Sequence, residues 1–456
     1  MGESTVVALS SPPGRSGIAV VRMSGPEAAK ILGRLAPHAG GWKSHQLQKV
    51  LIREISGDPL DEVMAVLMEA PGSYTGEDVA EIYCHGSMRL ADNIIEEAIK
   101  AGAEMAPPGE FTRRAFLNGK IDMAQAEAVA DLICSETRLQ SRVALEHLRG
   151  GLSRRVKEIE KRLLRQLVLV EGSIDFSQEE GLGEFSREKL HSEAEGVISD
   201  LDKLIRTNIP GNKLRDGIRV TLAGPRNAGK SSIYNALLGE ERAIVSHIPG
   251  TTRDLLRERI HIRGLTYYLE DTAGIAETGC EIERRGIDVG REAARAADLL
   301  LFVLDGSLPL SEEDIEMAGR IEHELCIILL NKSDLGLKTD REKAGNLLGA
   351  RQMLEVSAVT GAGLERLREL IYDSTTTKGL TDIYRERIAV NSRQCNALKR
   401  ARGAMESALE DISAGKPAEI LSVWLREAAS ACGEITGRSV EQDILEEIFS
   451  SFCIGK

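Results

Sequence analysis

A glycine-rich stretch, GPRNAGKSS at 224–232, has the residue types and spacing of a phosphate-binding loop. It follows the apolar run IRVTLA and precedes the helix-like run IYNALLG, so a strand, a loop and a helix are expected in that order. The N–H groups of such a loop and of the helix start bind phosphate oxygens. Lys230 would contact the terminal phosphates, and the Ser231 hydroxyl would bind Mg²⁺. The loop residues assigned to this site are Asn227, Ala228, Gly229, Lys230, Ser231 and Ser232.

Three further motifs follow in the order that a guanine-nucleotide site requires: DTAG at 271–274, NKSD at 331–334 and SAV at 357–359. Each comes at or just after the end of an apolar run that is expected to form a strand. The Asp334 carboxylate can accept hydrogen bonds from N1–H and N2–H₂ of guanine, whereas adenine offers neither donor. The ligand is therefore expected to be GTP rather than ATP. The residues assigned here are Asp271, Thr272, Ala273, Gly274, Asn331, Lys332, Asp334, Ser357, Ala358 and Val359.

Hydrolysis of GTP requires a positioned water and neutralisation of the charge that develops on the phosphates. Ile275 follows DTAG, where a glutamine would usually position the water, so another side chain must do so. Glu277, Glu281 and Glu283 are the candidates in the following segment. Asn227 offers a neutral oxygen where an arginine finger would otherwise act, which suits a monovalent cation. The alternative is that its amide only caps the loop.

Composition limits the classes of protein that fit. The 456 residues are 42% hydrophobic, and 58 basic against 71 acidic residues give a net charge of −13. Any contact with nucleic acid must therefore use a local basic patch. The seven scattered cysteines contain no C-x-x-C pair, which argues against a disulfide framework or a zinc site. We find no membrane-span or signal pattern and expect a cytoplasmic location. Because His85 follows Cys84, the two could form a Cys–His pair in which the thiol is the nucleophile. No third residue that would orient the pair can be identified.

The pattern along the chain predicts a multidomain protein. Residues 1–118 mix strand-like and helix-like runs and form an α+β domain, whereas 119–215 and 376–456 are helical. Strands and helices alternate over 216–375, which indicates a doubly wound α/β domain inserted into a discontinuous all-α domain. The last helix should start at a capping box formed by Ser439 and Gln442 and run to about Phe452.

One long basic helix is expected inside the helical region. Its apolar stripe is Leu145, Leu148, Leu152, Val156, Ile159, Leu163, Leu167 and Val170. Its cations are Arg138, Arg142, Arg149, Arg154, Arg155, Lys157, Lys161, Arg162 and Arg165. They would suit phosphate contacts with tRNA, and an ordinary solvated face explains them equally well.

The whole chain resembles the MnmE (TrmE) family of tRNA-modification GTPases. The resemblance rests on PPGRSGIAVVRMSG, YTGEDVAEIYCHG, PPGEFTRRAFLNGKIDMAQAEAVADLI, NAGKSS, PGTTRD, DTAG, NKSD and the final FCIGK. It implies a P-loop, Ras-like G domain and a homodimer whose N-terminal domains bind a tetrahydrofolate derivative, the 5-formyl or 5,10-methylene form. With the FAD- and NADH-dependent partner MnmG (GidA), in a heterotetramer, the family installs an aminomethyl or carboxymethylaminomethyl group at C5 of the wobble uridine of certain tRNAs.

The resemblance also implies roles for individual residues. K⁺ would be bound by Asn227 with Ser246, Ile248 and Thr251, and Mg²⁺ by Ser231 with Thr252. Glu283 would position the attacking water. Folate would contact Arg22, Glu81, Lys120 and Lys456. The loop placed against the nucleotide comprises Ser246, His247, Ile248, Pro249, Gly250, Thr251 and Thr252. The family usually has G-R-P-N where this chain has GPRN, and the moved proline could alter the fit of the loop around K⁺.

The folate set is chemically coherent. A pterin forms hydrogen bonds with a carboxylate, so Glu81 would bind the pterin. The anionic glutamyl tail of folate needs cations, which would be Arg22, Lys120 and Lys456. The end of the chain would then point into a pocket, where Cys453 is either a nucleophile or acid–base group, or a thiol that shapes the pocket. The alternative function is a regulatory GTPase switch, for example in ribosome assembly, which needs neither the folate set nor FCIGK.

Overall fold

The fold was analysed in a computed structural model. The structure describes residues 4–37, 40–175, 186–239, 257–271, 297–319, 323, 325–347, 352–376, 383–438, 442–450, 452 and 454–456. The chain forms two compact units. The first comprises Met1–Ile133, Leu145–Leu201 and Ala397–Lys456, and the second comprises Cys134–Ala144 and Asp202–Asn396.

A six-stranded sheet forms the centre of the N-terminal part. Its strands are β1 (Val6–Leu9), β2 (Ile18–Ser24), β3 (Gln48–Arg53), β4 (Pro59–Met68), β5 (Val79–His85) and β6 (Glu104–Met105). Their order is β3-β4-β5-β2-β1-β6. Only the β1–β6 pair is parallel, and Arg22 of β2 lies opposite Glu81 of β5. The α+β prediction for this part is confirmed, although the sequence analysis did not identify β3 and β6.

Helices α1 (Ala28–Leu35) and α2 (Met88–Lys100) cover one face of this sheet. Their apolar residues Ile31, Leu32 and Ile94 share a core with Ile82 and other strand residues. Residues alternate between the two faces of a strand. Ile82 therefore enters the core, while Glu81 points to the opposite face. The fold thus places Arg22 and Glu81 on the face opposite α1 and α2, where both side chains are largely buried.

The expected long helix is two helices in the structure. After α3 (Glu110–Leu117) and α4 (Met123–Ile133), α5 (Arg138–Leu148) ends before Gly150, and α6 runs over Gly151–Asp175. Gly150 has φ +81°, a left-handed conformation that interrupts a helix and that glycine adopts without strain. The stripe residues within α6 are buried as predicted, whereas Leu145 on α5 is exposed, so its assignment to that stripe was wrong.

The helical part continues with α7 (Arg187–Ile205) and, in the C-terminal segment, α13 (Ser392–Ser413), α14 (Ala418–Thr436) and α15 (Gln442–Ser450). Helix α14 packs along α6. Helix α15 ends at Ser450, two residues earlier than expected, and Phe449 and Phe452 are buried against Met123 and Ala126. The predicted cap residue Ser439 lies outside the described residues. These aromatic side chains fix the position of the residues that follow.

The second unit contains a second six-stranded sheet. Its strands are β7 (Ile218–Ala223), β8 (Arg257–Ile262), β9 (Leu265–Asp271), β10 (Leu299–Asp305), β11 (Cys326–Asn331) and β12 (Gln352–Glu355), in the order β12-β11-β10-β7-β9-β8. Five strands are parallel and β8 is antiparallel at the edge. The predicted α/β organisation is confirmed. Strand β8 was not predicted.

Helices lie on this unit as in a doubly wound fold. They are α8 (Asn208–Asp216), α9 (Lys230–Leu238), α10 (Glu312–Gly319), α11 (Arg341–Leu347) and α12 (Leu364–Thr375). Two separate apolar cores form, one containing Leu301 and the other Phe302, because neighbouring residues of the buried strand β10 point to opposite faces. The carboxyl ends of the parallel strands meet at one edge, where ligands bind in such sheets.

In the described part of the chain, no helix is both long enough and apolar enough to span a membrane. The cysteines that the structure describes, namely Cys84, Cys134, Cys326, Cys395 and Cys432, form no disulfide with one another. Within the same residues, no group of three or more His, Cys, Asp or Glu side chains could hold a metal ion.

Candidate nucleotide and N-terminal sites

The phosphate loop connects β7 to α9. Gly224 has φ +141°, and a Cβ there would lie 2.1 Å from the Val303 oxygen on the neighbouring strand. Gly229 has φ +92°, and its Cβ would lie 2.1 Å from Nδ2 of Asn331. Both positions therefore require glycine for conformation and for space. The result is a loop whose backbone lies tightly against the ends of β10 and β11.

Lys230 begins α9, and only 9% of the residue is exposed. Its ammonium donates to the carbonyl oxygens of Gly224 and Pro225, both at 2.8 Å. A buried ammonium is costly unless it is hydrogen-bonded. Two loop carbonyls therefore hold this cation at the phosphate loop, and the N-terminal end of α9 also attracts anions.

Asn227 has φ +62°, and asparagine is one of the few side-chain-bearing residues that adopt this conformation readily. Its side chain is exposed on the loop, as are those of Ser231 and Ser232 in the first turn of α9, whereas Ala228 is buried. The exposed amide and hydroxyl oxygens are ligands of the type that K⁺ and Mg²⁺ use.

The base-recognition residues meet at the ends of β11 and β12. Asn331 is buried; its Nδ2 donates to the Ala228 oxygen at 2.9 Å, and its Oδ1 accepts from the Ala358 N–H at 3.3 Å. The Ser357 hydroxyl donates to Oδ1 of Asp334 at 2.6 Å and also accepts the Thr360 N–H at 3.1 Å. Asn331 thus joins the base side of the site to its phosphate side, and Ser357 orients the carboxylate.

Lys332 and Val359 complete the base side. Lys332 has φ +62° and pairs with Asp305 at the end of β10. Val359 is 85% exposed at the rim. Sequence reasoning missed Asp305, although its position at the end of a buried strand next to β11 was a usable signal.

Many predicted residues lie outside the described part of the chain. They are Ser246, His247, Ile248, Pro249, Gly250, Thr251, Thr252, Thr272, Ala273, Gly274, Glu277, Glu281, Glu283 and Cys453. Asp271 ends β9, but its side chain is also outside the description. Their assignments stay predictions.

A second polar cluster lies on the face of the N-terminal sheet opposite α1 and α2, where Arg22 lies over the Phe111 ring. Nε of Arg22 donates to Oε1 of Glu81 at 2.7 Å, and the Tyr83 hydroxyl donates to the other oxygen of the same carboxylate. Burial, followed by the hydrogen bond to Glu81, raises the pKa of Tyr83 to about 12. The tyrosine is thus a stable donor at neutral pH. Sequence reasoning missed it, although the i, i+2 spacing from Glu81 places both on one face.

The last residues of the chain reach this cluster. The Gly455 oxygen accepts from the Ser10 hydroxyl at 2.9 Å and from Arg22 at 3.3 Å, and the Phe111 N–H donates to the Lys456 oxygen at 3.2 Å. Gly455 has φ +89°, and a Cβ there would lie 2.2 Å from the Leu9 oxygen. The structure therefore brings Arg22, Glu81 and the backbone of Lys456 together.

Lys120 has a different partner from these three. Its ammonium donates to the Pro71 oxygen at 2.8 Å, and its stem passes beside Gly76. It thereby holds the loop that carries Tyr74, whose hydroxyl lies 3.1 Å from that of Thr112. In the described contacts, Lys120 acts as an anchor of this loop.

The structure agrees with the sequence analysis in giving no support to a Cys84–His85 nucleophile. Cys84 is 1% exposed and its thiol points to the Ala19 oxygen in the core, whereas His85 is exposed on the opposite face and bonds Asp61 at 2.8 Å. Burial, assisted by Asp61, raises the pKa of Cys84 to about 11. A neutral, enclosed thiol is a poor nucleophile.

Three of the six basic residues of α6 form ion pairs. Arg154 pairs with Glu146, Lys157 with Asp122, and Arg162 with both Glu193 and Asp200. Carboxylates that neutralise these cations weaken the case for a phosphate-binding face. The solvated-face interpretation is favoured for these three positions.

The parallel sheet, the glycine-bounded phosphate loop and the Asn331 and Asp334 geometry define a GTPase of the P-loop class. A family model described as the MnmE helical domain matches residues 123–453, and one described as the GTP-binding protein TrmE N-terminus matches residues 5–120. The chain belongs to the family of the tRNA modification GTPase MnmE.

Two relatives illustrate the similarity, both named tRNA modification GTPase MnmE. The Geobacter metallireducens protein is 41% identical over 100% of this chain and 99% of its own length. The Thermoanaerobacter sp. (strain X514) protein is 38% identical over 99% of both chains. Among solved structures, the G domain of the T. maritima FeoB iron transporter matches 35% of this chain and 99% of its own, with 28% identity and a TM-score of 0.27.

Proposed function

We propose that this chain hydrolyses GTP as part of the modification of tRNA, as the names of its relatives indicate for them. The observation that carries the GTPase half is the bond from Asn331 to Ala228, together with the Asp334 carboxylate held by Ser357. One edge of the sheet then presents a guanine-specific acceptor and a phosphate loop at the same time. Lys230, at the start of α9, supplies the cation for the phosphates.

For the metals we propose Ser231 with Thr252 for Mg²⁺, and Asn227 with Ser246, Ile248 and Thr251 for K⁺. The support from the described residues is that Ser231 and Asn227 expose oxygen donors beside the phosphate loop. Bound cations would neutralise the phosphate charge that develops during hydrolysis. Glu283 is proposed to position the attacking water.

For the second site we propose that a tetrahydrofolate derivative binds at Arg22, Glu81, Lys120 and Lys456 and supplies a one-carbon unit. The donor set fits, since Glu81 offers a carboxylate to a pterin and Arg22 is a cation that can receive an anionic tail. Gly455 allows the end of the chain to lie against β1, next to the Arg22 wall of this cluster. Cys453 is proposed to act at this wall.

The proposed assembly is a homodimer that works with the FAD- and NADH-dependent MnmG in a heterotetramer on the wobble uridine of certain tRNAs, in the cytoplasm. We keep 1–118, 119–215, 216–375 and 376–456 as the proposed domain boundaries. This assembly would couple GTP hydrolysis to the folate-dependent step. The alternative is a regulatory switch in ribosome assembly, and the test must distinguish it from tRNA modification.

The decisive experiment removes the chain from its host and measures the wobble uridines of total tRNA by nucleoside mass spectrometry. Loss of the C5 substituent, with recovery after re-expression of the natural chain, is expected. Re-expression of Lys230→Ala, which lacks the phosphate-binding ammonium, should not restore it. Unchanged nucleosides would exclude tRNA modification and leave a GTPase switch. Equal GTPase rates in K⁺ and Na⁺ would remove the proposed role of Asn227.

A further inference from the structure

Two neighbouring strands end at the base-recognition side of the nucleotide site. Asp305 ends β10 and Asn331 ends β11, and these two residues are partners in the parallel register. The residue after Asn331 is Lys332, whose Nζ lies 2.6 Å from Oδ2 of Asp305. An ion pair therefore bridges the two strand ends directly beside the base motif.

The Asp305 carboxylate is itself held in place. The Ser307 N–H and hydroxyl both donate to Oδ1 of Asp305, at 3.0 and 2.6 Å. Burial acts to raise the pKa of this carboxyl, but the hydrogen bonds from Lys332 and Ser307 outweigh it, so the pKa lies below its usual value. The group is charged at neutral pH and has one orientation.

The loop that carries Asp305 is also tied to the base motif by its backbone. The Gly306 N–H donates to the Asn331 oxygen at 2.7 Å, and the Thr339 hydroxyl donates to the Asp305 oxygen at 3.2 Å and to the Leu308 oxygen at 2.7 Å. Asp305 thus belongs to a layer that supports the segment from Asn331 to Asp334. It is placed to act on that segment through Lys332.

A lysine side chain has many rotamers, and binding must otherwise remove that conformational entropy. Fixing its tip restricts the four-carbon stem, and the methylene groups of a lysine stem can cover an apolar surface. We propose that Asp305 is a positioning residue for the guanine base: it holds the Lys332 stem against the face of the base while Asp334 recognises the edge. This inference rests on the proposed GTP binding.

The two contributions differ in their dependence on the base. Stacking on a lysine stem does not involve the exocyclic 2-amino group, whereas the Asp334 contact does. Asp305 should therefore strengthen binding of guanine and hypoxanthine nucleotides equally. Asp334 should set the preference between them.

The test measures dissociation constants of the full-length chain for GDP and IDP by isothermal titration calorimetry. Asp305→Asn preserves the shape and can still accept from Ser307. We expect it to weaken both nucleotides by about three- to tenfold, a discounted value for a partly exposed charged pair, with their ratio unchanged. Asp334→Ala should instead reduce the ratio. Asp373→Asn, which removes a carboxylate of the same unit that is 53% exposed, is the control and should leave both constants unchanged.

A double-mutant cycle separates positioning from general support of the fold. In a Lys332→Met background, Asp305→Asn should have no further effect on GDP binding. Additive losses would overturn the inference, and so would wild-type affinity in Asp305→Asn. If the natural chain bound neither nucleotide, both the proposed GTPase function and the positioning role of Asp305 would be rejected. Normal GDP binding with an unaffected Asp305→Asn variant would reject only the positioning role.

Discussion

Arg22 and Glu81 lie opposite one another on adjacent antiparallel strands, and Nε of the arginine donates to Oε1 of the glutamate at 2.7 Å. The same guanidinium reaches the Gly455 oxygen at 3.3 Å, so residues far apart in the sequence share one cation. Because Tyr83 holds the other Glu81 oxygen, the carboxylate has a fixed direction. A ligand would meet a preorganised set of donors and acceptors here.

Replacing Gly455 should displace the end of the chain. In Gly455→Ala the new Cβ would lie 2.2 Å from the Leu9 oxygen, and φ is +89°, so both space and conformation oppose the substitution. We expect at least a tenfold loss of affinity for 5-formyl-tetrahydrofolate by titration calorimetry, with the GTPase rate unchanged. A tenfold loss corresponds to about 1.4 kcal/mol.

Gly415→Ala is the matched control, since that residue also has positive φ, +69°, but a Cβ there would have no neighbour within 4 Å. Normal folate binding in both variants would mean that the chain end does not contribute to the site. Equal weakening in both would point to backbone strain rather than to the contact with β1.

Gly229 should be indispensable for nucleotide binding. In Gly229→Ala the Cβ would lie 2.1 Å from Nδ2 of Asn331, which would break its bond to Ala228 and distort the phosphate loop. We expect loss of GDP binding measured with a fluorescent analogue. Gly361→Ala, with φ +78° and open space around the Cβ, is the control and should bind normally. Retained affinity in Gly229→Ala would contradict the tight packing described here.

Arg114 should stabilise the N-terminal unit. Its side chain is 3% exposed and pairs with Glu110 and Glu77 at 2.8 and 3.0 Å. Arg114→Ala would leave Glu77 without its cation and Glu110 with only Arg113, and we expect a loss of about 3 kcal/mol in the free energy of unfolding at pH 7. Arg113→Ala removes a half-exposed partner of Glu110 and should cost under about 1 kcal/mol. Urea unfolding of both variants measures these losses. Similar losses in the two would contradict the role given to the burial of Arg114.

The same pair of variants predicts a pH dependence. Burial alone would raise the pKa of Glu110, but hydrogen bonds from Arg113 and Arg114 outweigh it and lower the pKa. A lowered pKa in the folded state contributes stability above the unfolded value of about 4.3, and this contribution disappears as the pH falls through the folded value. The difference between the natural chain and Arg114→Ala should thus shrink below about pH 4. A constant difference from pH 7 to pH 3 would show that Glu110 is not the coupled group.

Thiol reactivity should separate Cys84 from Cys134. Cys84 is 1% exposed and burial raises its pKa to about 11, whereas Cys134 is exposed. With iodoacetamide at pH 8, peptide mapping by mass spectrometry should show alkylation of Cys134 in the folded chain and of Cys84 only after unfolding. Rapid alkylation of Cys84 in the folded chain would reinstate a reactive thiol beside His85.

The sequence predicted the features that depend on local pattern. The parallel strands follow from their unbroken apolar runs, and the phosphate loop follows from its glycine spacing. Strand β8 has only Ile260 and Ile262 as buried apolar residues at the sheet edge, and the pattern was too weak to identify. Gly150 could have been recognised as a helix end, but the continuous apolar spacing on both sides obscured it.

The contacts of long side chains were not predictable in the same way. Lys120 binds the Pro71 oxygen, and the Asp305–Lys332 pair forms across two strand ends. Such contacts depend on loop geometry and strand register, which residue spacing does not determine. Tyr83 was within reach of sequence reasoning, since it shares a strand face with Glu81.

The hydrogen bond from Asn331 to Ala228 couples the base-binding half of the nucleotide site to its phosphate-binding half. Binding of guanosine, which has no phosphates, would also order the phosphate loop. Binding of pyrophosphate would in turn order the residues that bind the base. Affinity for the intact nucleotide should then exceed what the two fragments achieve separately, because each fragment alone must order a partner surface that it does not touch. The base selectivity of this GTPase and its hold on phosphate would thus both depend on the end of β11.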